Sequence, residues 1–316
     1  MILGLGRKPT PRLAAELDDA ELGHACRQLT GRGTARTLAA PIIKRLFKDT
    51  GRDWDRRAHR LATLAAVTRP SIQRSWAEQR PDRSDAQTLF AWGTLARGTR
   101  TPLPHDEVEQ AFRACAAAAR LDPYDPNPWV VRLGLLRQWR RPRTEVFPIW
   151  REIVTRDPWH REAHLQMYGY LSLREGGSLS QSMDFVDQVR ATAPATAPTA
   201  GLPLLPLIDR YHTNRSKGGV QALMADHLWS GYEATGILDR AQANWPEPGH
   251  LPYSAARADL NLLAYALCAA REPARAAPVF RAIAGIVTPF PWAHDSHDPL
   301  IAFTTAQRWA DASTPH

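Results

Sequence analysis

The chain breaks a helix-like run in the same way twice, 35 residues apart, at Asp122-Pro123 and at Asp157-Pro158. The first break reads Leu121-Asp122-Pro123-Tyr124-Asp125-Pro126-Asn127-Pro128-Trp129, the second Thr155-Arg156-Asp157-Pro158-Trp159-His160-Arg161-Glu162. A third, Ala193-Pro194, follows 36 residues later. A residue ahead of proline is pushed out of the helical region, and proline cannot continue the helix itself. A period of this length, closed each time by proline, points to stacked helix-turn-helix repeats. The chain is therefore expected to be all-α, which fixes the architecture early and leaves activity open.

Apolar spacing extends the helical reading along the chain. Leu13, Leu17, Leu22 and Leu29 suggest a helix over 12–29, and Leu38, Ile42 and Leu46 another over 34–49, with Pro41 as a possible kink. Asp53 is placed to cap a helix whose buried stripe is Leu61, Leu64, Ala65 and Thr68, and a short helix follows from Ser71 to Gln79. Ser84-Asp85-Ala86-Gln87 fits a capping box, opening a helix that stops near Gly98. Helices are expected from His105 to Leu121, from an Asn127 cap with Pro128 at its first position, and from Glu145, with Pro148 in the first turn. Further segments run from His160 to Leu173, Leu179 to Ala193, Ala255 to Ala270, Pro273 to Ile286 and Leu300 to Ala310. Ala193 to Gly201 is the strongest linker candidate. The expected organisation is a basic N-terminal region at 1–80, repeats at 84–194, and a C-terminal helical region at 195–316 with a repeat-like pair near 255–289.

The charge is unevenly placed. Residues 1–80 hold 16 Lys or Arg against 8 Asp or Glu, so the whole net charge of +8 lies there and the remainder carries 24 of each sign. Arg45, Lys48, Arg52, Arg56, Arg57 and Arg60 suggest a basic stripe able to meet phosphates, with Trp54 beside it to stack. No apolar run reaches the roughly 18 residues a membrane span needs. The opening Met1-Ile2-Leu3-Gly4-Leu5, followed by Arg7-Lys8, does not make a signal peptide, so the expected compartment is the cytoplasm. Cys26, Cys115 and Cys268 lack the clustering of a disulfide framework or zinc site.

The central region resembles the tetratricopeptide-repeat family. Leu133-Gly134, Trp150 and Pro158 match the family's positions seven, eight, 24 and 32, with Val146 where a small residue is usual. Tyr168-Gly169 and Phe185 match again, with Gln181 at the small position and Pro194 one residue late; Ala264, Ala276 and Phe280 give a third match, with Pro289 also one residue late. The chain is also similar to a group of actinobacterial proteins that share a domain of unknown function. That likeness rests on Asp53-Trp54-Asp55-Arg56-Arg57-Ala58-His59-Arg60-Leu61, Ala119-Arg120-Leu121-Asp122-Pro123 and Glu162-Ala163-His164-Leu165-Gln166. The repeat resemblance implies antiparallel helix pairs stacked as an α-solenoid with a ligand groove. The groove positions implied by the family are Val131, Leu135, Gln138, Trp139, Gln166, Tyr170, Leu173 and Arg174.

Motifs for chemistry are sparse. His294-Asp295-Ser296-His297-Asp298 is the densest set of potential metal ligands, yet a ligand set also needs a distant partner. His160 and His164 share a helix face, but Arg161 stands where a zinc protease needs glutamate. No glycine-rich phosphate loop and no Gly-x-Ser-x-Gly elbow occur. The expectation is a non-enzymatic interaction module or scaffold that binds a peptide or protein segment, with no cofactor and no membrane insertion. The alternatives are a nucleic-acid-associated helical protein and a metal-dependent enzyme; the sequence carries no signal for oligomeric state.

Overall fold

The computed structural model describes residues 9–30 and 36–314, with the backbone alone at 36–38. The protein is all-α: the described residues are 71% helical, with sixteen α-helices among them packed in sequential pairs. Among the described residues the only strands are β1, Arg12–Leu13, and β2, Ile286–Val287, which pair in parallel. The chain divides into two compact units, one of Asp19–Ala193 and one of Met1–Asp18 with Pro194–His316.

The Asp19–Ala193 unit contains ten helices: α1 Ala20–Thr30, α2 Arg36–Lys48, α3 Trp54–Val67, α4 Pro70–Gln79, α5 Ser84–Gly98, α6 His105–Leu121, α7 Asn127–Gln138, α8 Arg143–Arg156, α9 Arg161–Leu171 and α10 Leu179–Thr192. Alternate helices stack in series, α3 on α5, α5 on α7 and α7 on α9, while α6, α8 and α10 pack as partners within the pairs. One core runs through the unit from Leu22 and Ile43 to Met167 and Leu171, so residues 19–80 share their interior with the helices that follow. Helix α7 is apolar on nearly every side, with Val130, Val131, Leu133 and Leu135 all fully buried. A helix of that kind belongs inside a bundle.

The Asp-Pro echo has a common geometry. Asp122 and Asp157 both leave the helix in extended conformation, each still donating its backbone N–H to the carbonyl four residues back. Each side chain then accepts from the N–H two residues on, Tyr124 at 3.3 Å and Trp159 at 3.1 Å. This is the Asx turn, which lets aspartate build its own chain reversal. Asp125 repeats it, accepting from the Asn127 N–H at 2.8 Å.

Close approach explains the glycines. A Cβ on Gly134 would sit 2.7 Å from Leu95 Cδ2, and one on Gly169 would sit 2.5 Å from an Arg137 guanidinium nitrogen. Helix α7 thus lies close against α5 on one side and α9 on the other; the buried Leu95 fills the place of a Gly134 methyl group, whereas at Gly169 only the flexible end of Arg137 stands there.

Several local expectations need correction. The helix expected over 12–29 starts only at Ala20: Leu17 has φ 54°, and Arg12–Leu13 instead pairs with Ile286–Val287. Asp19 then opens the helix, accepting from the Leu22 N–H at 3.0 Å. The capping box at Ser84 does not form. Ser84 Oγ donates to Ala118 O, and Gln87 Nε2 donates to Ala77 O, so both side chains bridge to neighbouring helices. Asn127 lies inside α7, its amide donating to Asp125, and Pro126 is the cap. Helix α8 begins at Arg143, which puts Pro148 in its second turn on an exposed face. The helix expected over 34–49 begins outside the described residues at 34 and 35, as do the opening run 1–5 and Arg7-Lys8.

The second unit contains α11 Leu204–Ser216, α12 Gly219–His227, α13 Tyr232–Asn244, α14 Ala256–Ala269, α15 Pro273–Ile283 and α16 Pro299–Ala312. Helix α14 packs against α11, α13, α15 and α16, and it is buried from Asp259 to Leu267. The helix expected to reach Ile286 stops at Ile283, where Ala284 and Gly285 turn through positive φ into β2. Its strand partner is fastened by Arg12 N–H to Gly285 O at 2.9 Å and Ala14 N–H to Val287 O at 3.2 Å.

Candidate functional site

The residues expected to line a groove occupy very different environments. Val131 and Leu135 are fully buried and Gln166 nearly so, leaving them no surface to offer a partner. Gln138, Trp139 and Tyr170 are half-buried, and Leu173 and Arg174 are exposed. Gln138 Nε2 donates to Leu95 O at 3.0 Å, Trp139 lies 5.0 Å from the His105 ring, and the Tyr170 hydroxyl donates to Arg141 O at 3.0 Å. The accessible members therefore gather where α7 and α9 end.

The basic stripe also separates. Arg45, Lys48 and Arg52 are exposed, and Arg52 lies 4.6 Å over the Tyr124 ring. Arg56 is half-buried, near Asp19 and Glu21. Arg57 and Arg60 are interior. Arg60, with no accessible surface, donates to Asp19 at 2.7 Å, to Glu21 at 2.7 Å and to Leu46 O at 2.6 Å. Burial pulls its pKa down, but Asp19 and Glu21 outweigh burial and raise it. Arg57 donates to both Asp85 and Asp125, tying α3 to α5 and to the turn before α7.

The histidine pair is committed to the fold. His160 caps α9, its Nδ1 accepting from the Ala163 N–H at 3.3 Å, and the His164 Nδ1 lies 2.9 Å from the His160 carbonyl oxygen. Burial and the neighbouring His164 push His160 down to about 3. His164 packs edge-on to Trp150 and stacks near Phe185 and Trp159. Burial likewise raises the Cys115 and Cys268 thiols to about 12, far from a reactive thiolate.

Asp298 of the His-Asp cluster caps α16 through the Leu300 N–H, and the His294 ring stacks on His212 at 3.9 Å. Among the described residues, no group of three or more His, Cys, Asp or Glu side chains could hold a metal ion. Nor is any helix among them long and apolar enough to cross a membrane.

Two concavities stand out instead. One, about 410 Å³, lies on the Asp19–Ala193 unit between α4, α5 and α6. Its walls carry Arg74, Arg113 and Arg120 around Phe90, with Glu78, Gln87 and Gln110 beside them. Arg74 sits 5.8 Å from the Phe90 ring centroid. All three arginines are exposed, and none ion-pairs with a carboxylate among the described residues. Arg113 and Arg120 are seven apart on α6 and so share a face, a signal the sequence does carry; Arg74 comes from another helix and is brought in only by packing.

The other, about 510 Å³, lies within the second unit and is lined by Tyr211, Tyr265, Trp292 and Trp309, with Arg215, Arg271 and Asp295 among its charged groups. Tyr211 and Arg215 stand one turn apart on α11, and Ala302, Thr305 and Trp309 follow one face of α16. No family model, no curated protein and no solved structure matches the chain.

Proposed function

We propose that the Asp19–Ala193 unit is a tetratricopeptide-like solenoid acting as a non-enzymatic interaction module, and that it takes an acidic protein segment in the groove between α4 and α6. The carrying observation is the trio Arg74, Arg113 and Arg120, exposed around Phe90 without carboxylate partners. Arginine beside an aromatic ring is a favoured anchor at binding interfaces, and its fork suits carboxylates. The serial stacking of α3, α5, α7 and α9 supports the solenoid, because each pair then buries its apolar face on the next.

The test is fluorescence anisotropy on the full chain with labelled peptides of matched length, rich in Glu, in Lys or in neutral residues. The Glu-rich peptide is expected to bind, more weakly as salt rises, and to lose binding in Arg74→Glu plus Arg113→Glu. The variant Arg45→Glu plus Lys48→Glu is expected to bind it normally. Loss of binding only in the Arg45 and Lys48 variant, or preference for a single-stranded RNA oligomer over the peptide, refutes the groove and favours the nucleic-acid reading.

A further inference from the structure

The second unit's cavity has the composition of a small-molecule site. Its volume of about 510 Å³ falls within the range that encloses much of a drug-sized ligand. The floor is aromatic and held from behind. Trp292 is buried, donates its indole N–H to Asn261 Oδ1 at 2.9 Å, and meets Tyr265 and Phe303 edge-on at 5.3 Å. Tyr265 is fixed in turn by its hydroxyl, 2.9 Å from His212 Nε2. Aromatic groups anchored by such outer bonds keep their places when empty, which lowers the ordering cost of binding. Trp309, partly exposed, also lines the cavity, with the small side chains of Ala302, Thr305 and Ala306 from the same helix.

Charge at the rim selects the ligand. Arg215 donates to the Tyr211 hydroxyl at 2.7 Å, which positions its guanidinium against a neutral acceptor. Among the described residues no carboxylate ion-pairs with it, whereas Arg271 has Asp226 at 3.8 Å. Asp295 is the only carboxylate among the lining residues, and burial together with its nearby charge keeps the Tyr265 hydroxyl protonated. Arg271 is shared with Asp226, and Asp295 and Asp226 act on Arg215 only through space, so the Arg215 guanidinium is the rim group left to bond an anion.

We propose that this cavity binds a small aromatic carboxylate, its ring lying against Trp292 and Trp309 and its carboxylate paired with Arg215. This site is separate from the groove assigned to an acidic segment and does not depend on it.

Titration calorimetry on the full chain tests the assignment with three matched probes: 2-naphthoate, 2-naphthalenemethanol and 2-naphthylmethylammonium. The carboxylate is expected to bind one to one and most tightly. Arg215→Gln should weaken it roughly tenfold, the usual worth of a charged hydrogen bond, with little effect on the neutral alcohol. Ala306→Phe, filling the cavity, should abolish binding of all three while circular dichroism stays unchanged. If Ala306→Phe alters the dichroism, Thr305→Phe replaces it. The assignment fails if 2-naphthoate shows no binding at millimolar concentration, if the ammonium binds as well as the carboxylate, or if Arg215→Gln leaves the carboxylate's affinity intact.

Discussion

Arg57 Nε donates to Asp125 Oδ2 at 2.9 Å across 68 residues of sequence, and a second nitrogen of the same guanidinium reaches Asp85. Both carboxylates are interior, and Arg83 supports Asp85 at 2.6 Å while Asn127 supports Asp125. One side chain thereby fastens α3 to α5 and to the Asp-Pro turn that opens the next pair. An arginine read from the sequence as part of a phosphate-binding stripe is a structural bolt.

Breaking one side of such a pair leaves an unpaired buried charge, at a cost of roughly 3 to 5 kcal/mol. Arg57→Ala is expected to destabilise the protein by that order, and Asp125→Ala by less, because Arg57 then keeps Asp85. The double variant should cost less than the sum, because Asp125 is then no longer buried without its arginine, while Asp85 keeps Arg83. Urea denaturation of the four proteins measures this, and simple additivity would contradict the coupling.

The fold was largely legible, because proline breaks and apolar spacing are local signals. The helices from His105 to Leu121 and Ser84 to Gly98 keep their expected limits, and Asp53 caps its helix through the Arg56 N–H. What failed depended on partners distant in sequence. Leu13 and Leu17 fit a helix, yet residues 12–13 find strand partners 274 positions away. Ser84 and Gln87 have the spacing of a capping box, but other helices offer them carbonyls. Trp76 and Trp245 border basic or proline-rich segments, yet both are buried. The candidate sites were less legible still: Arg57 and Arg60 differ from Arg45 only in having Asp85, Asp125 and Asp19 folded onto them, and spacing cannot show that.

Acid should weaken the protein through His160. The unfolded histidine titrates near its ordinary 6.5, while the folded one is held down to about 3 by burial and by His164. Between those values the unfolded chain binds more protons, so stability falls as pH drops below 6.5 and levels off below about 3. His160→Asn keeps a good helix cap but cannot titrate. Its stability should fall less over that window, with a residual slope from His164, whose burial also lowers its pKa. Denaturation midpoints at a series of pH values decide this, and an unchanged slope would count against His160.

Gly134 should resist replacement by the residue that helices favour most. Alanine gains about 1 kcal/mol in helix propensity, but its methyl group would enter within 2.9 Å of both Leu95 methyl carbons. Overpacking of this kind costs about 1 to 3 kcal/mol, so Gly134→Ala is expected to lower the melting temperature. The same change at Gly236, where a Cβ meets only an arginine nitrogen at 3.9 Å, should raise it. Equal effects at the two sites would show that α5, α7 and α9 do not approach as closely as described.

The two units should differ in how they tolerate cutting. Residues 19–193 are continuous and own a core from Leu22 to Leu171, which is what an independently folding domain requires. Expressed alone, this segment is expected to be helical and to unfold cooperatively in urea. The other unit is discontinuous: Ala14 and Leu17 are buried in it, and Arg12 and Ala14 supply the backbone donors to Gly285 and Val287. Residues 194–316 expressed without the first 18 should therefore be less stable than the same segment with residues 9–18 added in trans as a peptide. Thermal melts with and without the peptide make the comparison. A melting temperature unmoved by saturating peptide would mean that the parallel pairing contributes nothing to that unit's stability.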